Sequence, residues 1–403
     1  MTKDEIIYAA FKAWGCNYYR KTSLSQLAGE LKVSKPAFYR HFINKQALTA
    51  AMTERFLDDF AGFIKVDLEK AQSMEPDDGI SAIIGSMSEF FGQNVYALIF
   101  SLMSFYDKNM DKLYIAEQLK TRGADMASLQ QIISKKYAVN TSIIRLIFAS
   151  LTFHMSYFHK TNNSLKNPPL PEDIQKIKLT ICGLVKHGLG LTAENTAGNG
   201  TKSPDFDKLE KLLEGMTFNT EAEPFFKAVA EAVAEAGPWD VSLDMVAKKL
   251  GMSKSSLYGH FKNRKDMLRR LFVTEFKRII EFARQGINLS SDTSEQLYLG
   301  LFSISVYLRS RPEILIAMDW IRTRKLNLGK PEKNMEVFRL FEDVEIEQLK
   351  NAGEDEKRRA SHWILYLLIN ILAHPAEMEI NDRNDSIRSL YKFIIFGLGG
   401  FEK

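Results

Sequence analysis

The chain has 403 residues, 45% of them hydrophobic and 26% charged, with a formal net charge of +4 at pH 7. That is ample for two domains of about 190 residues, each with its own core, and it excludes a disordered chain. Its two cysteines, Cys16 and Cys182, have no metal-type spacing and cannot form a disulfide framework, so a reducing compartment is expected.

The first predicted element is a helix whose apolar stripe is Ile6, Ile7, Ala10, Phe11 and Trp14. A second, short helix follows Ser23, which forms a capping-box pair with Gln26; Leu24, Leu27, Ala28 and Leu31 share its buried face. Small Ala28 lets another helix approach closely, and Lys32-Val33 supply a tight connection with one apolar plug. The third helix begins at Ser34 as N-cap, with Pro36 tolerated in the first turn. Phe38 and Phe42 point inward, leaving Lys35, Ala37, Tyr39, Arg40 and His41 on the open side. Asn44 then caps a longer helix, from about Lys45 to Phe60, whose N-terminal amides, dipole and adjacent Lys45 make an anion site.

The segment from Thr192 to Pro204, rich in Gly, Asn, Thr and Ala, reads as a flexible linker, with a further helix around Leu209, Leu212, Leu213 and Met216. Those thirteen residues, extended, could cross about 40 Å. Beyond it the first pattern returns. SLSQLAGELKVSKPAFYRHFINKQAL from Ser23 recurs without a gap as SLDMVAKKLGMSKSSLYGHFKNRKDM from Ser242, every pair 219 residues apart. The repeat extends to a preceding stripe (Phe225, Val229, Ala232, Val233, Ala236) and a following helix from Arg264 to Phe276. Farther on, NVYALIFSLMSFY resembles RPEILIAMDWIRT, and VKHGLGLT resembles IIFGLGGF, in preserved order. The repeat therefore spans the chain.

An open helix face of Lys, Arg, Tyr, His and small residues, without carboxylates, suits contact with phosphates and base edges. The runs SKPAFYRHF and SKSSLYGHF resemble the signature of TetR-family transcriptional repressors, Ser-Lys-x-x-φ-Tyr-x-His-Phe followed by a basic helix start. The resemblance implies an all-α fold: two tandem units, each a helix-turn-helix domain with a helical effector or dimerisation domain, forming an intramolecular pseudo-dimer. The expected division is 1–47 and 219–266 for the DNA-binding domains, 48–192 and 267–403 for the effector domains, and 193–218 for the linker. It implies double-stranded DNA as partner, with contacts from Lys35, Pro36, Ala37, Tyr39, Arg40, His41 and Lys45 in the first copy and Lys254, Ser255, Ser256, Tyr258, Gly259, His260 and Arg264 in the second. By the same analogy Tyr39, Tyr258, Lys45 and Arg264 hold phosphates, while the positions around Lys35 to Ala37 and Arg40 reach bases. Gly259 in place of Arg40, and Asp244 in place of Ser25, suggest that the two heads read different half-sites.

A small-molecule effector, of unknown identity, is expected in each half. Candidate lining residues are Phe100, Met103, Tyr106, Phe153, His154 and Tyr157, and Tyr298, Phe302, Met318, Trp320, Trp363 and Tyr366. No cofactor, metal or enzymatic activity is expected, because the seven histidines form no His-Glu-x-x-His and neither a Walker loop nor a Gly-x-Ser-x-Gly elbow occurs. No leader segment stands at the start and the apolar run Trp363 to Ala373 is too short for a bilayer, so a cytoplasmic protein without a membrane partner is expected. Further homodimerisation is possible. A different class, a ligand- or protein-binding module whose helix-turn-helix motifs no longer bind DNA, is favoured by Gly259 and by Glu231, Glu235, Asp240 and Asp244 near the second head.

Overall fold

The structure, a computed structural model, describes residues 2–16, 23–104, 112–190, 203–214, 223–324, 341, 349, 352–373 and 383–403. Ten helices make the first half: α1 (Lys3–Cys16), α2 (Leu24–Glu30), α3 (Lys35–Tyr39), α4 (Lys45–Ala71), α5 (Pro76–Gln93), α6 (Val95–Ser104), α7 (Lys112–Thr121), α8 (Ala127–Lys136), α9 (Thr141–Thr161) and α10 (Pro171–His187), among the described residues. After α11 (Phe206–Glu214) come α12 (Pro224–Asp240), α13 (Leu243–Leu250), α14 (Lys254–His260), α15 (Arg264–Ile287), α16 (Thr293–Ser310), α17 (Pro312–Arg324), α18 (Glu354–Ala373), α19 (Arg383–Phe396) and a 3-10 turn, Gly397–Phe401. Among the described residues β pairing is limited to one isolated bridge, Tyr137 with Glu402. The fold is all-α.

Side-chain caps fix the helix starts as the sequence requires. Ser23 Oγ accepts from Gln26 N at 3.1 Å while Gln26 Oε1 accepts from Ser23 N at 2.7 Å, the reciprocal pair of a capping box. Asn44 and Asn263 cap α4 and α15 by accepting from Ala47 N (2.7 Å) and Asp266 N (3.0 Å). The turn between α2 and α3 is closed by Val33 N donating to Ala28 O at 2.9 Å, and that between α13 and α14 by Met252 N donating to Ala247 O at 2.9 Å. Both need one residue at positive φ: Gly251 (63°) in the second copy but Lys32 (53°) in the first. In the second half α12 is broken at Gly237, whose φ of 78° is non-helical.

The long helices run past the expected ends at Phe60 and Phe276, to Ala71 and Ile287. No stop signal intervenes, and the apolar stripe continues through Ile64 and Leu68 in α4 and through Ile279 and Ala283 in α15, all buried. Each long helix thus starts in the helix-turn-helix and ends in the core, α4 packing on α5 and α15 on α16.

The two halves meet through corresponding elements: α6 packs on α17, α9 on α18, and α10 on α19. α9 and α18 run antiparallel, since Arg145 Nε donates to Asn370 Oδ1 (3.1 Å), Trp363 Nε1 to Ser150 Oγ (3.1 Å), and Thr152 Oγ1 lies 3.2 Å from Tyr366 Oη. At the end of each half Gly188 (φ 64°) and Gly397 (φ 57°) touch; a Cβ on either would come within 2.6 Å of the other's backbone nitrogen. Leu189 N and Gly190 N donate to Ile394 O (2.8 Å) and Ile395 O (2.7 Å), and Ala138 N to Phe401 O (2.6 Å).

α11 is docked on the second half. Its Glu210 accepts from Tyr298 Oη (2.5 Å), Arg388 Nε (2.8 Å) and Asn384 Nδ2 (2.8 Å), and Phe206 lies 4.6 Å from the Tyr298 ring. Burial pushes the Glu210 carboxyl up, but these donors outweigh it and hold the group below its ordinary range. Of the expected linker, residues 193–202 and 215–218, Met216 among them, lie outside the described residues.

Candidate nucleic-acid interface

Each head is a small core with one open helix. Phe38 and Phe42 in the first, Leu257 and Phe261 in the second, are buried at the positions the sequence predicts. That packing turns the rest of α3 and α14 outward. Tyr39 is 43% exposed and Tyr258 50%, and Lys35, Pro36, Arg40, His41, Lys254, Ser255, Ser256, Gly259 and His260 are exposed; Ala37, Lys45 and Arg264 are half-buried. Ser34 Oγ accepts from Ala37 N (3.4 Å) and Ser253 Oγ from Ser256 N (3.1 Å), so both helices start at the same register. α3 ends at Tyr39 with Arg40 as its C-cap, whereas α14 continues through Gly259 to His260.

The electrostatics of the two faces differ. Among the described residues no ion pair is recorded for Lys35 or Arg40. In the second head Lys254 Nζ lies 2.9 Å from Asp244 Oδ2, and that carboxylate raises the ammonium above its ordinary range. Lys249 is bound likewise by Glu235 (2.5 Å) and Glu231 (3.8 Å). His260 leans on Phe225, ring centroids 5.1 Å apart. On these two helices Lys35 and Arg40 can meet DNA directly, while Lys254 must first give up its contact with Asp244.

Cations at the start of α15 escaped the sequence reading except for Arg264. Lys262, Lys265, Arg269 and Arg270 are all exposed. Asp266 organises this corner: it accepts from Lys262 N (3.2 Å) and from Arg270 Nε (3.3 Å), and the backbone bond first holds its carboxyl below the usual range. Laying the two copies residue by residue over this stretch, rather than only over the motif, would have found them.

The candidate effector residues fall in several places. Phe153, His154, Tyr157, Trp363 and Tyr366 gather at the α9–α18 contact, with Phe153 5.2 Å from Tyr366 and His154 5.6 Å from Trp363. Tyr157 lies under the Arg359 guanidinium (5.9 Å). His154 is buried with no partner for Nε2, and burial first, then the charge of Arg359, pushes its pKa down to about 3. Tyr298 and Phe302 sit 5.9 Å apart beneath α11. Phe100 wedges between Phe11 (5.0 Å) and Phe56 (5.8 Å), joining α1 to α4, and Met318 is buried on α17. Tyr106 and the side chains of Met103 and Trp320 lie outside the described residues. Among the described residues no helix is long and apolar enough to cross a membrane.

Residues 6–52 and 226–271 each match the family described as "Bacterial regulatory proteins, tetR family". A curated relative, the "Fatty acid metabolism regulator protein" of Bacillus subtilis (strain 168), is 27% identical over 117 residues, 29% of this chain and 60% of the relative. Among solved structures, the fatty acid degradation regulator FadR from Bacillus halodurans aligns at 18% identity and a TM-score of 0.34, over 44% of this chain and 98% of that one. The two matched segments coincide with the two heads, α1 to the start of α4 and α12 to the start of α15, so each head is a tetR-like unit, similar to the tetR family of bacterial regulatory proteins.

Proposed function

We propose that this chain is a sequence-specific DNA-binding transcriptional regulator, an effector-responsive repressor that presents both heads of a pseudo-dimer from one polypeptide to a pseudo-palindromic or asymmetric operator. The observation that carries the reading is the pairing of corresponding elements across the chain, α9 on α18 and Gly188 against Gly397, in a chain whose two heads each present an open helix of the same register. A two-fold dimer interface has this pattern, in which one surface patch meets its own equivalent. To enter successive major grooves on one face of B-DNA, the heads must stand about 34 to 36 Å apart. An effector favouring another separation would release the DNA, and α4 and α15, shared by head and core, are the elements that would carry the shift.

The test is selection of bound duplexes from a random pool by the full chain. An imperfect or asymmetric site is the expected result; recovery of perfect palindromes alone contradicts the asymmetric reading, and no enrichment contradicts DNA recognition. Adding fatty acids, the compounds suggested by the relative's name, to the bound complex is the first trial for an effector. The second reading, in which one head has lost its DNA contact, draws on the Lys254–Asp244 pair and on Gly259. It predicts that substitutions confined to α14 and the start of α15 leave DNA affinity unchanged.

A further inference from the structure

When the two heads are aligned by their 219-residue offset, the second gains positive charge where α4 and α15 begin. Residues 43–51, Ile43 to Ala51, hold one cation, Lys45; residues 262–270, Lys262 to Arg270, hold five cations and one carboxylate. Lys262 stands where the first head has Ile43, itself 79% exposed, and Arg269 where it has Ala50. Lys265 and Arg269 are four residues apart on α15, hence on one face, and both are exposed. Asp266 turns toward the Lys262 backbone and Arg270 and fixes the approach to this face.

On the reading helices the balance reverses. α3 and its cap present Lys35 and Arg40; α14 presents Lys254, held by Asp244 at 2.9 Å, and has no side chain at Gly259. Cations around a helix start meet phosphates and give affinity without regard to sequence. Discrimination between bases needs donors that reach a groove edge, and an exposed Arg at the end of a short helix supplies them where glycine cannot.

Resting on the DNA-binding reading above, we propose that the two heads divide the labour: the second is an anchor for the phosphate backbone, through Lys262, Lys265 and Arg269, and the first reads the sequence, through Arg40. The partner of the second head is the sugar-phosphate chain of any duplex, and the operator's information lies in the half-site under α3.

The test uses the full chain with two duplexes, one carrying the selected site and one with that site scrambled, titrated at several salt concentrations. The triple variant Lys262→Ala, Lys265→Ala, Arg269→Ala is expected to weaken binding to both duplexes alike, on the order of tenfold or more, and to make the log-log salt slope shallower by about 2 to 3. Its ratio of selected to scrambled affinity should stay within about twofold of the parent, because phosphate contacts carry no sequence information. Arg40→Ala should lower that ratio by roughly fivefold to a hundredfold and change the slope by no more than about 1. Conversely, Ile43→Lys with Ala50→Arg in the first head should tighten binding to both duplexes and steepen the slope, a gain that misfolding cannot mimic. If the triple variant erodes the affinity ratio as much as Arg40→Ala does, or leaves the slope unchanged, the division is wrong although the protein binds DNA. If the parent chain binds neither duplex, the reading beneath the proposal fails and the proposal with it.

Discussion

In the first half the aromatic part of the α4–α5 contact is built of rings without a charge: Phe56 stacks on Phe60 of the same helix at 5.7 Å and lies edge-on to Phe90 of α5 at 6.3 Å. In the second half Glu275 stands at the position of Phe56, and Tyr307, five residues before the start of α17 as Phe90 is five before that of α6, stands opposite it. Glu275 is 0% exposed, accepts from the Tyr307 hydroxyl and lies 3.4 Å from Arg311, which also holds Glu313 at 2.6 Å. One junction between head and core is dispersion contact, which is non-directional and gives way gradually. Its twin is a buried charge network, directional and costly to break. Two copies of one architecture can therefore couple head to core with different stiffness.

The largest effect that would break this comparison is Glu275→Ala, which leaves Arg311 buried without its inner carboxylate and should cost about 3–5 kcal/mol. Urea unfolding measures it, and a loss under about 1 kcal/mol would mean that the network is slack. Tyr307→Phe removes only a hydroxyl, yet it takes a donor from a buried carboxylate and should cost about 1–3 kcal/mol. Burial raises the Tyr307 phenol first, and the Glu275 charge adds to it, so the hydroxyl stays a donor throughout the stable pH range.

Acid titration extends the comparison to the seam between halves. His154 is neutral in the folded chain down to about pH 3, whereas unfolded histidine takes up its proton near pH 6.5. Between those values the unfolded state binds more protons, so stability drops by about 1.4 kcal/mol for each unit by which the pH is lowered. Stability curves of the parent and His154→Leu should diverge below pH 6.5; parallel curves would refute the neutral buried histidine. A smaller effect is expected from Phe56→Leu, under about 1.5 kcal/mol, because a ring cluster repacks around an apolar replacement. A cost matching that of Glu275→Ala would erase the distinction between the junctions. The smallest concerns the turns: Lys32→Gly relieves a left-handed side-chain residue and should change stability by less than about 1 kcal/mol, whereas Gly251→Ala should destabilise by about that amount.

The heads were legible because their signals are local. A Ser or Asn three residues before an amide it can cap, and apolar positions at helical spacing, fix α2, α3, α13 and α14 almost without reference to the rest of the chain. The ends of α4 and α15 were not, since what extends them is the core they bury against rather than any stop residue. Glu275 reads in sequence as a solvated helix charge, and only the fold brings it to Arg311, thirty-six residues away. The aromatics of α9 and α18 read in sequence as effector residues; their place against the opposite half depends on long-range packing that no spacing encodes. Lys32 reads in sequence as part of a tight turn, but its positive φ follows from the closed Val33–Ala28 bond, not from its residue type.

The contact of α9 with α18 and of Gly188 with Gly397 joins surfaces that belong to one covalent chain. A pair of separate subunits comes apart on dilution, and its occupancy of a target falls with the square of scarcity. Here the tether holds the partner at a constant effective concentration, so the joint between the halves is indifferent to how few molecules a cell contains.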